Sequence, residues 1–146
     1  DFEENILKNV SQSTNRGFEV RYVWKNKNVN GRFLLRYQNP KDNLGLQLLR
    51  RSKKSFSANI YRDFSLGTLN LNFSAFGKKR DFGNLPLPKY YLLHLSFIRH
   101  ISNQMDITIR LENLFDKEYF TASGYNGYYQ NQRRSLWLNA TYEIRE

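Results

Sequence analysis

The sequence predicts an all-β protein, an antiparallel up-and-down transmembrane β-barrel segment of seven or eight strands. Three observations predict it. Apolar and polar residues alternate with period two in one stretch after another, the pattern of strands with one apolar and one polar face. Short and long connections alternate strictly between those stretches, as in a meander with tight turns at one end and long loops at the other. Aromatic residues gather near the ends of the stretches, where an amphipathic ring suits a half-wet, half-apolar layer.

Along the chain, Phe2 to Val10 reads as a weak first strand. Phe18, Val20, Tyr22 and Trp24 share a face opposite Glu19, Arg21 and Lys25. A short link with the turn signal Asn30-Gly31 leads to Phe33, Leu35 and Tyr37, with Leu34 out of place. After a long link from Gln38 to Ser55 come Phe56, Ala58 and Ile60, then a short link and Leu69, Leu71, Phe73 and Ala75. Gly77 to Lys89 is the second long link. Tyr91, Leu93, Leu95 and Phe97 come next, with Leu92 out of step, and a short link precedes Met105, Ile107, Ile109 and Leu111. The third long link, Phe115 to Arg134, ends at Leu136, Leu138, Ala140, Tyr142 and Ile144, where Trp137 breaks the polar side. Tyr22, Trp24, Tyr37, Tyr61, Phe76, Tyr91 and Tyr142 are the expected aromatic girdle.

Composition limits the alternatives. The 146 residues carry 23 Lys+Arg against 13 Asp+Glu, a formal charge of +10, and mean hydropathy is −0.72. No cysteine is present, which excludes disulfide scaffolds, cysteine zinc sites and cysteine nucleophiles together. The longest apolar run, Tyr90 to Leu93, is far below the roughly 20 residues of a membrane-spanning helix. Alternation alone does not say which face is inside. A soluble lipocalin-like barrel would bury the apolar face. The membrane reading turns it to lipid and sets Arg36, Asn70, Asn72, Asp106, Arg110 and Glu112 toward a wet or plugged lumen.

Chemistry-bearing groups are sparse. The clusters Lys53-Lys54, Lys78-Lys79-Arg80 and Arg133-Arg134 lie in the long links or at their edges, where they would meet lipopolysaccharide phosphates or an anionic ligand; nucleic acid is not expected. His94 and His100, with Asp106 beyond, flank one strand and a turn without a third ligand at useful spacing, and Asp116 with Glu118 supplies too few oxygens for calcium. No metal, cofactor or catalytic residue is expected. Tyr125, Asn126, Tyr128, Tyr129 and Arg133 are candidate contacts for a large planar ligand, by stacking and hydrogen bonding.

The run Glu112-Asn113-Leu114-Phe115-Asp116-Lys117-Glu118-Tyr119 is the most specific text in the chain. With Asn113, Leu114, Phe115, Asp116 and Tyr119 as its core, it resembles the penultimate-strand signature of TonB-dependent outer-membrane receptors. The Gly124-Tyr125-Asn126 segment and the basic residue before Ser135 resemble the last outer loop and terminal-strand start of that family, and Arg16-Gly17-Phe18-Glu19 resembles its strand start. Leu48-Leu49-Arg50-Arg51-Ser52-Lys53-Lys54-Ser55 resembles a loop end of the vitamin B12 transporter branch.

The resemblance implies the C-terminal part of a 22-stranded barrel spanning residues 1–146, in the outer membrane of a Gram-negative bacterium. It implies uptake of a bulky scarce nutrient, a corrinoid or iron-siderophore, energised by TonB through a plug domain that these residues do not include. A standalone eight-stranded outer-membrane barrel with a structural or adhesion role is the alternative, as is the lipocalin-like module.

Overall fold

The computed structural model describes residues 12–124 and 127–144. The weak strand expected over Phe2 to Val10 lies outside them. Seven strands form one antiparallel meander: β1 (Ser13–Lys25), β2 (Val29–Asp42), β3 (Lys54–Phe64), β4 (Gly67–Phe76), β7 (Tyr90–Ser102), β8 (Met105–Glu112) and β11 (Ser135–Tyr142), each paired to the next in that order. The third long connection holds a hairpin of β9 (Phe120–Gly124) and β10 (Gly127–Gln130). The second holds a two-residue pair, β5 (Lys79–Arg80) and β6 (Pro86–Leu87), around a 3-10 turn at Phe82–Asn84.

All seven expected strands are present, and register shows why they alternate. Val20 pairs with Leu35, Leu35 with Phe56, Phe56 with Ala75, Ala75 with Tyr91. Farther along, Leu95 pairs with Leu111 and Leu111 with Leu136. Directly opposite residues point to the same side of a sheet, so the apolar positions of seven strands merge into one face. Glu19 opposite Arg36, Asn59 opposite Asn72 and Asn72 opposite His94 lie on the other.

Several strand boundaries differ from the expectation, two of them most clearly. The first turn is at residues 26–28, where Asn26 N donates to the Val29 carbonyl at 2.9 Å. Asn30 and Gly31 are already in β2, opposite Lys25 and Trp24; with no side chain at Gly31, the Trp24 and Phe33 rings come over its backbone. β2 also runs past Tyr37 to Asp42 and pairs with Ser13 to Phe18. Hydrophobic alternation reports what surrounds the side chains, whereas the ladder is held by backbone groups and continues where the alternation has stopped.

The sheet does not close: β1 and β11 are at its two edges. Among the described residues the main contacts of its strands are with their neighbours, and most of the apolar face is left uncovered. Phe18, Leu35, Tyr91, Ile109, Leu136 and Leu138 are therefore between 46% and 75% exposed.

Candidate functional site

The turns between strands are two or three residues long at one end of the sheet; the long connections gather at the other. That loop end holds the buried polar side chains of the described residues, Ser52, Asp81, Asn113 and Ser123. Asp81 is fully buried and caps the 3-10 turn, accepting from Phe82 N at 3.0 Å. The same Oδ1 accepts from Arg50 Nε at 2.8 Å, and Oδ2 accepts from Ser123 N. One carboxylate thus joins all three long connections. Burial alone would push its pKa up; the Ser123 N–H, the Arg50 guanidinium and the Phe82 N–H outweigh that and hold it below the usual carboxylate value. Arg50 N donates to the Arg80 carbonyl at 2.8 Å and Arg80 Nε to the Gln47 carbonyl at 3.0 Å, which ties the first two connections again.

The Asn113 to Tyr119 motif is a turn that starts the third connection. Asn113, 3% exposed, takes a left-handed backbone (φ 50°), which Asn tolerates better than most residues. Its side-chain oxygen accepts from Lys117 N at 2.9 Å, and its amide donates to the Lys117 carbonyl at 2.8 Å and the Gln132 carbonyl at 3.3 Å. Leu114 N donates to the Leu93 carbonyl, returning the turn to β7. Asp116, also at φ 50°, receives Arg133 Nε and Nη2 on its two oxygens at 3.0 and 2.8 Å, and Arg134 N at 2.9 Å. These donors pull its pKa to about 2. Tyr119 packs on Tyr90, ring centroids 4.8 Å apart.

The expected ligand contacts separate. Tyr125 and Asn126 lie outside the described residues. Arg133 is engaged by Asp116. Tyr128 packs at a tilt against Phe120, ring centroids 5.0 Å apart, and donates to the Pro86 carbonyl at 3.1 Å, whereas Tyr129 is 63% exposed. Of the girdle residues, Tyr22, Trp24, Tyr37, Tyr91 and Tyr142 share the apolar face by register. Tyr61 and Phe76 do not; they sit opposite Asn70 and Ser55 on the polar face. A side-chain period of two sends neighbours to opposite faces, so nearness to a strand end selects no face. Phe115, which sequence reasoning placed only in the motif, meets Tyr91 edge-on at 6.1 Å and joins the aromatics at the loop end.

Polar-face partners are mutual. Arg36 donates to Glu19 at 2.7 and 3.0 Å, Asn59 to Asn70 at 3.1 Å, and Trp137 Nε1 to Glu112 at 3.3 Å with Arg110 over its ring. Trp137 is therefore an amphipathic member of that face. His100 Nδ1 lies 2.6 Å from Asp106 at the turn end, and His94 Nδ1 is 3.4 Å from Asn113 N. Among the described residues no three His, Cys, Asp or Glu side chains come together as metal ligands.

No family model matches the chain. Among curated proteins it is similar to the vitamin B12 transporter BtuB of Vibrio cholerae serotype O1, 24% identical over 97% of this chain and 24% of that protein. It is also similar to the vitamin B12 transporter BtuB of Vibrio vulnificus, 26% identical over 93% of this chain and 22% of that protein. The chain thus spans about a quarter of the length of the curated relatives it matches. Among solved structures, the ferripyoverdine receptor of the Pseudomonas aeruginosa outer membrane superposes with a TM-score of 0.73 at 16% identity, covering 89% of this chain and 19% of that one. The ferric yersiniabactin uptake receptor FyuA from Yersinia pestis gives 0.74 at 19% identity, covering 90% and 24%.

Proposed function

We propose that this chain, whose curated relatives are vitamin B12 transporters and whose fold is that of a TonB-dependent receptor barrel, is a stretch of outer-membrane barrel wall in a receptor for a corrinoid or iron chelate. One observation carries the membrane part of the reading. An apolar face runs unbroken through seven paired strands, and among the described residues most of it is left uncovered. Apolar exposure of that extent needs an apolar solvent. Lipid supplies it, and strands of 8 to 14 residues fit the roughly 9 to 11 needed to cross a bilayer at a tilt.

The polar face, with its paired Glu19–Arg36, Asn59–Asn70 and Arg110–Glu112 groups, then lines the lumen. The short turns face the periplasm and the tied connections face the exterior. Tyr22, Trp24 and Tyr142 stand at the inner headgroup level, and Tyr37, Tyr91 and Phe115 at the outer. Both sheet edges are unpaired in the described residues, and bare backbone groups cost several kcal/mol each in hydrocarbon. Further strands of a larger barrel, of 22 in the receptors this chain resembles, satisfy them. Residues 1–146 are on this reading the C-terminal part of that barrel. A separate plug domain engages TonB, and Tyr128 and Tyr129 offer rings to the ligand from the outer loop.

The test is made on the full polypeptide that carries this chain, expressed in a Gram-negative host. Recovery in the outer-membrane fraction, saturable binding of cyanocobalamin or a ferric chelate, and uptake lost on deleting TonB are expected. Recovery in the aqueous phase without detergent overturns the membrane reading. Membrane insertion with neither ligand bound overturns the transport reading alone.

A further inference from the structure

At the loop end of the polar face three aromatic rings stand together. Phe76, the last residue of β4, pairs with Tyr90, the first of β7, their ring centroids 5.1 Å apart at a tilt of 40°. Tyr119, from the motif turn, packs on Tyr90 at 4.8 Å and 36°. The Lys79 ammonium lies 5.1 Å from the Phe76 ring centre and 5.0 Å from that of Tyr90, within the range of a cation on a π face. With Lys79 in place, Tyr90 is only 8% exposed. Lys79 Nζ donates to Tyr90 Oη at 3.3 Å, a long bond. Among the described residues no carboxylate lies within ion-pair distance of it. Loss of water around the ammonium lowers its pKa. The backbone of Lys79 is held separately, by pairing with Leu87 and by the Asp81 bonds two residues on.

We propose that Phe76, Tyr90 and Tyr119 form a binding site for a quaternary ammonium group, closed here by the chain's own Lys79, which a ligand bearing that group displaces. The occupant shows what the rings accept, a cation. The chemistry of the walls then selects among cations. A primary ammonium is strongly hydrated and carries three N–H donors, and the Tyr90 hydroxyl answers one of them at long range. A quaternary ammonium has no N–H to satisfy, and its methyl groups meet ring faces directly, so it loses less on leaving water. Anions are repelled by the negative ring faces, and a neutral alkyl group gains no cation–π attraction. Lys79 sits on a flexible four-carbon stem and regains hydration by swinging out. Its fixed backbone lets it do so without disturbing the cross-linked connections. The site goes beyond the barrel reading; only its opening toward the lumen rests on that reading.

The experiment uses the full polypeptide in maltoside micelles, free of choline headgroups, with choline as probe and its neutral tert-butyl isostere as control. Saturation-transfer NMR reads binding, and the Lys79 Cε proton shift reads displacement. In wild type those protons are expected upfield, under the ring currents, and move to the free-lysine position as choline binds. Lys79→Gln, which removes the charge, and Lys79→Ala, which empties the site, each bind choline about tenfold more tightly than wild type. Lys79→Arg, still cationic, gains nothing, and adding Tyr90→Leu to Lys79→Ala abolishes the gain. Equal choline affinity in wild type, Lys79→Gln and Lys79→Ala overturns the site. So does equal binding of the neutral isostere, which reduces the rings to an apolar surface. Acetate binding by wild type that is lost in Lys79→Gln assigns the lysine to an anion and overturns it too. Recovery of the polypeptide in the aqueous phase without detergent overturns the membrane reading alone, and the choline series still decides the site.

Discussion

The two ends of the sheet are built on different principles. At the turn end, residues 26–28, 65–66 and 103–104 reverse the chain with local, exposed hydrogen bonds, such as Thr68 to Asp63 at 2.7 Å and Gln104 N to Ser102 at 3.2 Å. At the loop end, Ser52, Asp81, Asn113 and Ser123 are each at most 8% exposed, and each has at least one partner from a distant part of the chain. A two-residue turn is specified by its neighbours alone. Three long connections that must stand together need fixed cross-links, and buried polar groups with full partners supply them. The sheet between the two ends has few buried residues because, among the described residues, most of its apolar face is left uncovered.

This contrast can be broken most sharply at Asp81. Asp81→Ala removes the acceptor shared by Arg50, Phe82 N and Ser123 N, at an expected cost of about 3 kcal/mol, in the range of a broken buried pair. Hydrogen exchange at the Ser123 and Phe82 amides should rise roughly a hundredfold, with the strands of the meander unchanged. Exchange that rises across β3 and β4 as well would show that the loop end is not a separate unit.

Asn113 comes next. Asn113→Ala loses the side-chain bonds to Lys117 and Gln132 and sets a Cβ without that compensation at φ 50°, together about 2 kcal/mol. Asn113→Gly spares the backbone and should recover part of the loss. Protease nicking between residues 113 and 134 measures both, and equal nicking in Ala, Gly and wild type would remove the motif from any structural role.

Asp116 sharpens the comparison by pH. Its carboxyl is lowered from 3.8 to about 2, so the folded state favours the ionised form. The contribution of the Asp116–Arg133 pair is complete above about pH 4 and is lost as pH falls through about 2. Carboxyl chemical shifts should titrate near 2 in wild type and move toward 3.8 in Arg133→Gln; a midpoint that does not move would mean the guanidinium is not the cause. The smallest effect is expected at the turn end. Leu66→Ser, at a residue 62% exposed, should change stability by no more than about 0.5 kcal/mol, as read from the unfolding midpoint. A larger change would mean that the turns share the loop end's cooperativity.

Period-two alternation made the seven strands, their order and the sorting of their connections legible, because a strand with two different environments must alternate its side chains. The short motif from Asn113 to Asp116 was legible as text but not as mechanism: that Asn113 closes a left-handed turn and Asp116 captures Arg133 depends on groups 17 to 19 residues away. Tyr61 and Phe76 misled for a related reason, since a position near a strand end leaves the face undecided until register is known.

The sequence by itself determined that this is a meander with one apolar and one polar face, because local periodicity and the length of each connection dictate it. Only the tertiary structure decided that Asp81 joins the three long connections, that Arg133 is already occupied, and that Tyr90 packs against both Lys79 and Tyr119. Each of these is a meeting of residues distant in sequence. Pairing register and chain reversal create such meetings, and no local pattern encodes them.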